Sequence, residues 1–236
     1  MRKIFNRLIR LTGEPAFKKL QCTSVIIFGV GGVGSWCAEA LARSGIGSLT
    51  IVDSDIVCET NINRQLQATT SSIGEVKVDV LKARLLDINP NININAIRMI
   101  YSSETKDNFD LNQFDYIIDA IDSIDSKVEL IIHALSSSGT LFSSFGAASK
   151  MDPSRIVVKQ IWKTYGCPLG RSVRNKLKKR RINDKFLCVF SDEVLPRFEI
   201  DDPNDGEGII NGSITHITGS FGFRLASLVI EDVIKI

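Results

Sequence analysis

Residues 29–34, GVGGVG, constrain this chain more than any other stretch. They follow a β-branched apolar run, SVIIF at 24–28, and open a helical pattern from Val33 to Arg43 that Gly45 can close. Gly29, Gly31 and Gly34 satisfy GxGxxG, with Gly32 a fourth glycine, and Asp53 ends the next apolar run, LTIVD at 49–53. Glycines allow a tight turn and a close approach of backbone to phosphate. The helix that follows presents N–H donors and the positive end of its dipole. An acid ending the second strand is placed to accept hydrogen bonds from a ribose. The loop therefore reads as a nucleotide site, and to this point NAD fits as well as ATP.

The rest of the chain keeps alternating strand and helix. A helix is expected over 76–88, stopped by Asn89-Pro90, then strands at 94–100 (INAIRMI) and 115–121 (DYIIDAI), a helix around 126–137, and strands at 140–146 and 155–162. A basic stretch, an acidic loop and a last helix near 219–234 complete it. Strands alternating with helices imply parallel pairing, so the expected fold is α/β: a Rossmann-like, doubly wound, largely parallel sheet with a basic crossover segment and a C-terminal helix. One domain is expected over 1–236. It divides into an N-terminal helix in 1–23, a nucleotide-binding core at 24–150, and a substrate-facing part at 151–236 with the crossover segment at about 164–208. Residues 20–38 carry no charge, but the glycine loop explains that stretch without a membrane span. The start, Met-Arg-Lys, has no apolar signal-peptide core, and five cysteines without a CxxC pair fit a reduced, cytoplasmic protein.

The segment after Asp53 separates ATP from NAD. A triphosphate brings about two more charges than a pyrophosphate and needs cations from several directions. Arg64 and Lys77 lie just beyond the ribose acid, with Asn61 and Gln65 as polar positioners. Asp119 and Asp122, in DAID, fall at the carboxyl end of the fourth strand, where open α/β sheets place their ligands. A carboxylate there can hold Mg²⁺ against phosphates, and Asp122 can equally cap the following helix.

These motifs resemble the ubiquitin-activating-enzyme-like adenylating superfamily, the relatives of the sulfur-carrier activators. The likeness runs through GxGGxG, the acid-x-acid at Asp53 and Asp55, NxNRQ at 61–65, Gly74 to Lys77, and DAxD, and covers nearly the whole chain. It implies ATP and Mg²⁺ as cofactors and activation of a carboxylate as an acyl-adenylate. Carried over, Asp53 holds ribose, Asn61, Arg64 and Lys77 meet the phosphates, and Asp122 serves the metal and the α-phosphate. Arg64, Lys77 and Asp122 are the candidate catalytic residues. The resemblance also implies a homodimer in which Arg7 or Arg10 reaches the partner's ATP, and it admits a sulfur-relay protein as a partner.

Five stretches narrow the branch. GGVGSWCAEALARSGIG at 31–47, DAIDSIDSK at 119–127, and the later segments FGAASKMDPSRI, PLGRSVRNKLKKR and GSFGFRLAS are similar to the tRNA threonylcarbamoyladenosine dehydratases. The paired CxxC motifs of many sulfur-carrier activators are absent, which leaves no ligand set for a structural zinc. The implied substrate is the threonyl carboxylate of N6-threonylcarbamoyladenosine in tRNA, activated as an acyl-AMP and closed into a ring with net loss of water. A carrier protein's C-terminal carboxylate is the alternative acceptor. An NAD-dependent oxidoreductase leaves Arg64, Lys77 and Asp122 unexplained, and the non-enzymatic alternative is a nucleotide-sensing or sulfur-relay scaffold that binds ATP without turnover.

Net charge, only +2, does not announce a polyanionic partner, but the charges are segregated. Seven cations stand among the eleven residues 171–181, and seven acids lie between Asp192 and Glu207. With tRNA implied, Arg171, Arg174, Lys178, Lys179, Arg180 and Arg181 are candidates for its phosphates. Only Trp162, Tyr165 and Phe186 are near, so no base-stacking platform is expected. A ring closure within one nucleoside needs no thioester, so Cys167 and Cys188 read as inert, and Cys167 stands where the branch commonly has an acid. His133 reads as core, and His216 as a neighbour of the site.

Overall fold

Seven short strands form one sheet in the computed structural model, which describes residues 3–196 and 211–235. In chain order they are β1 (Ser24–Phe28), β2 (Ser48–Val52), β3 (Asn93–Ile97), β4 (Tyr116–Asp119), β5 (Thr140–Ser144), β6 (Ile156–Gln160) and β7 (Leu187–Ser191). The sheet order is β3-β2-β1-β4-β5-β7-β6, parallel throughout except for β6, which runs against β7 at the edge. Strands β1, β2 and β4 are buried on both faces, which is why they read as unbroken apolar runs rather than alternating ones.

The helices are α1 (Asn6–Thr12), α2 (Glu14–Cys22), α3 (Gly34–Arg43), α4 (Lys77–Ile88), α5 (Ile124–Leu135), α6 (Pro168–Lys179) and α7 (Thr215–Ile234). One face of the sheet is covered by α3, α4 and α7, through fully buried Leu41, Leu81, Phe221 and Leu225. The other is covered by α5 and α6, through Val128, Ile131, Val173 and Leu177. Truncating any of the buried leucines to alanine should cost about 2–5 kcal/mol. Helices α3 and α7 approach so closely that a Cβ on Gly222 would stand 2.5 Å from the Val33 carbonyl oxygen. After β1 the chain builds outward through β2 and β3, then returns to place β4 on the other side. The carboxyl ends of β1 and β4 thus flank the point where strand order reverses, the place for a ligand cleft.

Five readings need correction. The N-terminal helix is two helices, because Gly13 at φ +84° breaks the chain and Pro15 starts a new first turn. Strand β7, LCVFS, has no counterpart in the sequence reading; it is short, follows a highly basic helix and fills the gap between β5 and the edge strand β6. The third strand ends at Ile97, and the last helix begins at Thr215. The crossover segment is built of α6 and β7 over most of its described length, while most of the acidic run lies outside the described residues. Among the described residues, no helix is long and apolar enough to cross a membrane.

Candidate functional site

The glycine loop leaves β1 through Gly29, whose φ of +85° is a left-handed conformation that favours glycine. A side chain there would meet the Ala120 carbonyl oxygen at 2.8 Å, and a Cβ on Gly34 would fall 1.8 Å from the Gly29 carbonyl oxygen. These two glycines close the turn on itself and against the β4–α5 loop. Gly31 is different: beside an added Cβ only the Gln65 Nε2 comes near, at 3.9 Å, and the remaining space is open cleft. Gly34, expected at the nucleotide, is therefore a packing residue.

Asp53 does more than await a ribose. Its Oδ2 accepts from the Val30 N–H at 2.8 Å and its Oδ1 from the Asp55 N–H at 3.0 Å, so the carboxylate braces the loop from β2. Gln67, which sequence reasoning missed, donates to the Val30 carbonyl at 2.8 Å and fixes the other side of the same residue. A buried glutamine two residues beyond NxNRQ carries no local signal of that contact.

The cations come from two elements. Lys77, at the start of α4, is almost wholly buried, and its Nζ is 2.7 Å from Asp55 Oδ2. That pairing holds the Asp55 carboxyl below its ordinary value: the hydrogen bond from Lys77 leads, with desolvation opposing. Arg64 is half-buried and donates to the Thr60 carbonyl and Asn63 Oδ1 at 2.7 and 3.0 Å. Its backbone carbonyl accepts from Trp36 Nε1 at 3.1 Å and Thr218 Oγ1 at 3.3 Å, so α3 and α7 both locate it. Asn61 is buried in a single 3₁₀ turn, its Oδ1 accepting from the Cys58 N–H at 3.1 Å. Gln65 is buried beside the loop with its Oε1 unpartnered among the described residues.

The two carboxylates of DAID have separate fates. Asp119 is fully buried, paired with Lys127 at 2.8 Å and hydrogen-bonded by Ser143 at 2.6 Å, so it is committed within the chain. Asp122 is exposed, lines the cleft and has no polar partner among the described residues. The N-cap position of α5 belongs to Ser123, so Asp122 does not cap that helix. Gly29, Gly31, Gly32, Asp53, Asp55, Asn61, Arg64, Gln65, Lys77 and Asp122 all line one cleft of about 830 Å³, while Gly34 and Asp119 do not. The cleft continues past the nucleotide loop to Ser144–Ala148 after β5 and to Leu169 and Ser172 on α6, leaving room for a second substrate beside a nucleotide. A second cleft of about 560 Å³ opens at the opposite end of the sheet, between Thr140, Leu187 and Asp232, away from these residues.

The basic segment divides by partner. Arg174 turns inward to the Thr164 hydroxyl, Lys176 pairs with Asp125 and Arg180 with Glu129, so these three dock α6 on its own chain. Arg171, Lys178, Lys179 and Arg181 remain exposed, the first three on α6 itself. Two of the aromatics near the segment carry cations: Lys178 lies 5.9 Å over the Trp162 ring, and Lys159, on β6, 4.6 Å over the half-exposed Tyr165. Cys167 is buried at the N-cap of α6, its sulfur accepting from the Gly170 N–H, and burial pushes the Cys188 thiol up in β7. His133 shares a 2.9 Å hydrogen bond with the Tyr101 hydroxyl, and burial lowers its pKa. Among the described residues, the His216 ring shares a hydrogen bond with the Met151 carbonyl oxygen alone, at 2.9 Å, and it is not among those lining the cleft. Arg7 and Arg10 are exposed on α1, also outside it. No group of three His, Cys, Asp or Glu side chains suited to a metal occurs among the described residues.

A doubly wound sheet whose cleft is lined by this glycine loop, an acid just after β2, Arg64, Lys77 and an uncommitted carboxylate after β4 is suited to ATP. The ThiF family is matched over residues 5–236, and the chain belongs to it. Within that family it is similar to the tRNA threonylcarbamoyladenosine dehydratases. The Bacillus subtilis protein of that name is 44% identical over 189 residues, which span 80% of this chain and 74% of the relative. The Haemophilus influenzae one is 35% identical over 243 residues, 98% of this chain and 93% of the relative. The crystal structure of the Escherichia coli tRNA N6-threonylcarbamoyladenosine dehydratase with ATP superposes at a TM-score of 0.88 and 33% identity, covering 99% of this chain and 95% of that one.

Proposed function

We propose that this protein cyclises N6-threonylcarbamoyladenosine in tRNA at the expense of ATP. The observation that carries the reading is the cleft itself: the glycine loop, Arg64, Lys77 and the unpartnered Asp122 face one space, which extends beyond the nucleotide loop toward a basic helix. The family relatives supply the substrate, since proteins 35–44% identical over most of this chain bear the dehydratase name.

In the reaction an oxygen of the threonyl carboxylate attacks the α-phosphorus of ATP and pyrophosphate leaves. The acyl-AMP then suffers attack at its carbonyl carbon by a nitrogen of the same threonylcarbamoyl group. That nitrogen loses its proton, AMP departs with the former carboxylate oxygen, and a ring closes with net loss of water. Arg64 and Lys77 stabilise charge that moves onto the phosphates, and the open face of Gly31 admits the phosphate chain against backbone N–H donors. Asp53 takes the ribose with the lone pairs that Val30 and Asp55 leave free. Asp122 fits a Mg²⁺ site, because it alone of the two DAID carboxylates is uncommitted. When bound there, Mg²⁺ supplies charge neutralisation to the phosphates. The exposed cations Arg171, Lys178, Lys179 and Arg181 serve the tRNA backbone, in a cytoplasmic homodimer whose partner directs Arg7 or Arg10 at the ATP.

The test is to incubate the protein with ATP, Mg²⁺ and tRNA carrying threonylcarbamoyladenosine, then weigh the released nucleosides. A nucleoside lighter by one water, formed only with ATP, is expected. ATP–pyrophosphate exchange that depends on a carrier protein and not on tRNA would move the assignment to carrier activation.

A further inference from the structure

Lys127 lies on α5, and its side chain is 0% exposed. Its Nζ donates to Asp119 Oδ1 at 2.8 Å and to the Ile121 carbonyl oxygen at 2.8 Å. Asp119 Oδ1 in turn accepts from the Ile121 N–H at 3.2 Å, and its Oδ2 accepts from Ser143 Oγ at 2.6 Å. Both polar backbone groups of Ile121 are thus held by one buried ion pair, and the next residue is Asp122. The same loop abuts the nucleotide turn. The Ala120 N–H donates to the Phe28 carbonyl at 2.9 Å, and the Ala120 carbonyl stands where any side chain on Gly29 would collide.

A buried ion pair is a weak source of stability. Taking two charges out of water offsets most of their attraction, and apolar residues of like volume often serve as well. What such a pair supplies is fixed geometry, and here the geometry belongs to a carboxylate that no hydrogen bond of its own restrains. The segment from Asp122 to Lys127 leads into the first turn of α5, so the ammonium ties the helix to the loop that precedes it.

We propose that Lys127 is a positioning residue for Asp122: by clamping Ile121 between itself and Asp119, it sets the place from which Asp122 meets the metal and the phosphates of ATP. The proposal rests on the adenylating function above and adds a residue that touches neither ATP nor tRNA.

The test compares the parent with K127M and with K127M/D119N, in the full-length protein. K127M alone strands a buried carboxylate and is expected to lower Tm. The double variant removes both charges, while its amide oxygen at position 119 remains an acceptor for Ser143 or Ile121, so its Tm should return close to the parent's. If Lys127 positions Asp122, the double variant still turns over about 10- to 100-fold more slowly, with ATP KM within about threefold of the parent. Binding of Mn²⁺, followed by its spectroscopic signal in the presence of a non-hydrolysable ATP analogue, should weaken by about tenfold or more. Recovery of turnover and Mn²⁺ affinity together with Tm overturns the proposal and leaves Lys127 a packing residue. Should the double variant stay unstable, K127M decides, measured well below its own Tm and with circular dichroism matching the parent's. A tenfold loss of both turnover and Mn²⁺ affinity then supports the clamp, and values near the parent's sink it. The Mn²⁺ readout needs no tRNA, so it stands even if the parent fails to form the cyclic nucleoside, a failure that would overturn the reaction assigned above instead.

Discussion

Lys77 Nζ lies 2.7 Å from Asp55 Oδ2, joining a side chain 6% exposed to one 60% exposed. The acid-x-acid motif therefore has a division of labour: Asp53 braces the glycine loop, and Asp55 tethers the cleft-lining lysine from outside. A nearly buried ammonium with no partner is unfavourable, so the Asp55 carboxylate offsets its burial and holds its orientation.

That pairing has a pH signature. A carboxyl depressed in the folded chain contributes stability that is complete above its unfolded value, 3.8, and is lost as pH falls through the lower folded value. Asp55→Ala should therefore lower Tm by a constant amount between about pH 7 and 5, with the gap to the parent narrowing below about pH 4. Thermal melts of both proteins across that range check it. A gap that does not narrow in acid would mean the ion pair adds nothing to stability.

Gly31→Ala and Gly34→Ala should fail differently. Gly34 has no room because its own loop fills the space, so its alanine variant should lose about 1–3 kcal/mol of stability. Gly31 faces the cleft, so its alanine variant should melt near the parent while ATP affinity falls about tenfold or more, the equivalent of about 1.4 kcal/mol. Melts and ATP titration calorimetry separate the two, and normal ATP binding by the Gly31 variant would remove the phosphates from that loop.

Asp122→Ala loses no side-chain hydrogen bond or ion pair among the described residues, so the fold should be untouched. Turnover should drop by about 10²- to 10³-fold while ATP affinity changes by only a few-fold, because charge develops on the phosphates in the transition state. Arg64→Ala should show the same pattern with a modest loss of Tm, since it also releases Thr60 and Asn63. Single-turnover kinetics with saturating ATP give the comparison. Near-parent rates for both variants would remove the roles assigned to them.

Replacing Arg171, Lys178, Lys179 and Arg181 by glutamine should weaken tRNA binding and reduce the slope of log affinity against log salt by about one per lost contact. ATP affinity should hold. Arg180→Gln is the control, since its partner is Glu129 and its loss should register in Tm rather than in the salt slope. A salt series that superposes on the parent's would place the tRNA surface elsewhere.

That the candidate nucleotide-site residues share one cleft was legible because their signals are local. A strand, a glycine turn and a helix start lie within twenty residues, and Asp53, Asn61, Arg64, Gln65 and Lys77 follow in one run that the end of β2, the long segment 53–76 and the start of α4 deliver to the same cleft. Periodicity could find β1, β2 and α3 for the same reason: their burial is uniform along a short span. Strand β7 escaped because five residues between a cationic helix and an acidic run carry too little pattern to outweigh their surroundings.

Partner choice was decided only in three dimensions. Asp119 and Asp122 are equivalent as letters, yet Ser143 and Lys127 claim the first and leave the second to the cleft. Arg180 and Arg181 are adjacent and alike, yet only Arg180 reaches an acid on α5. Trp36 and Thr218 are unremarked residues of two distant helices, and both end on the carbonyl of Arg64. Sequence alone determined which backbone conformations and residue types were present, since those depend on near neighbours. Which carboxylate, cation or carbonyl stays free depends on side chains that folding brings from far along the chain, and that competition for partners is settled by packing.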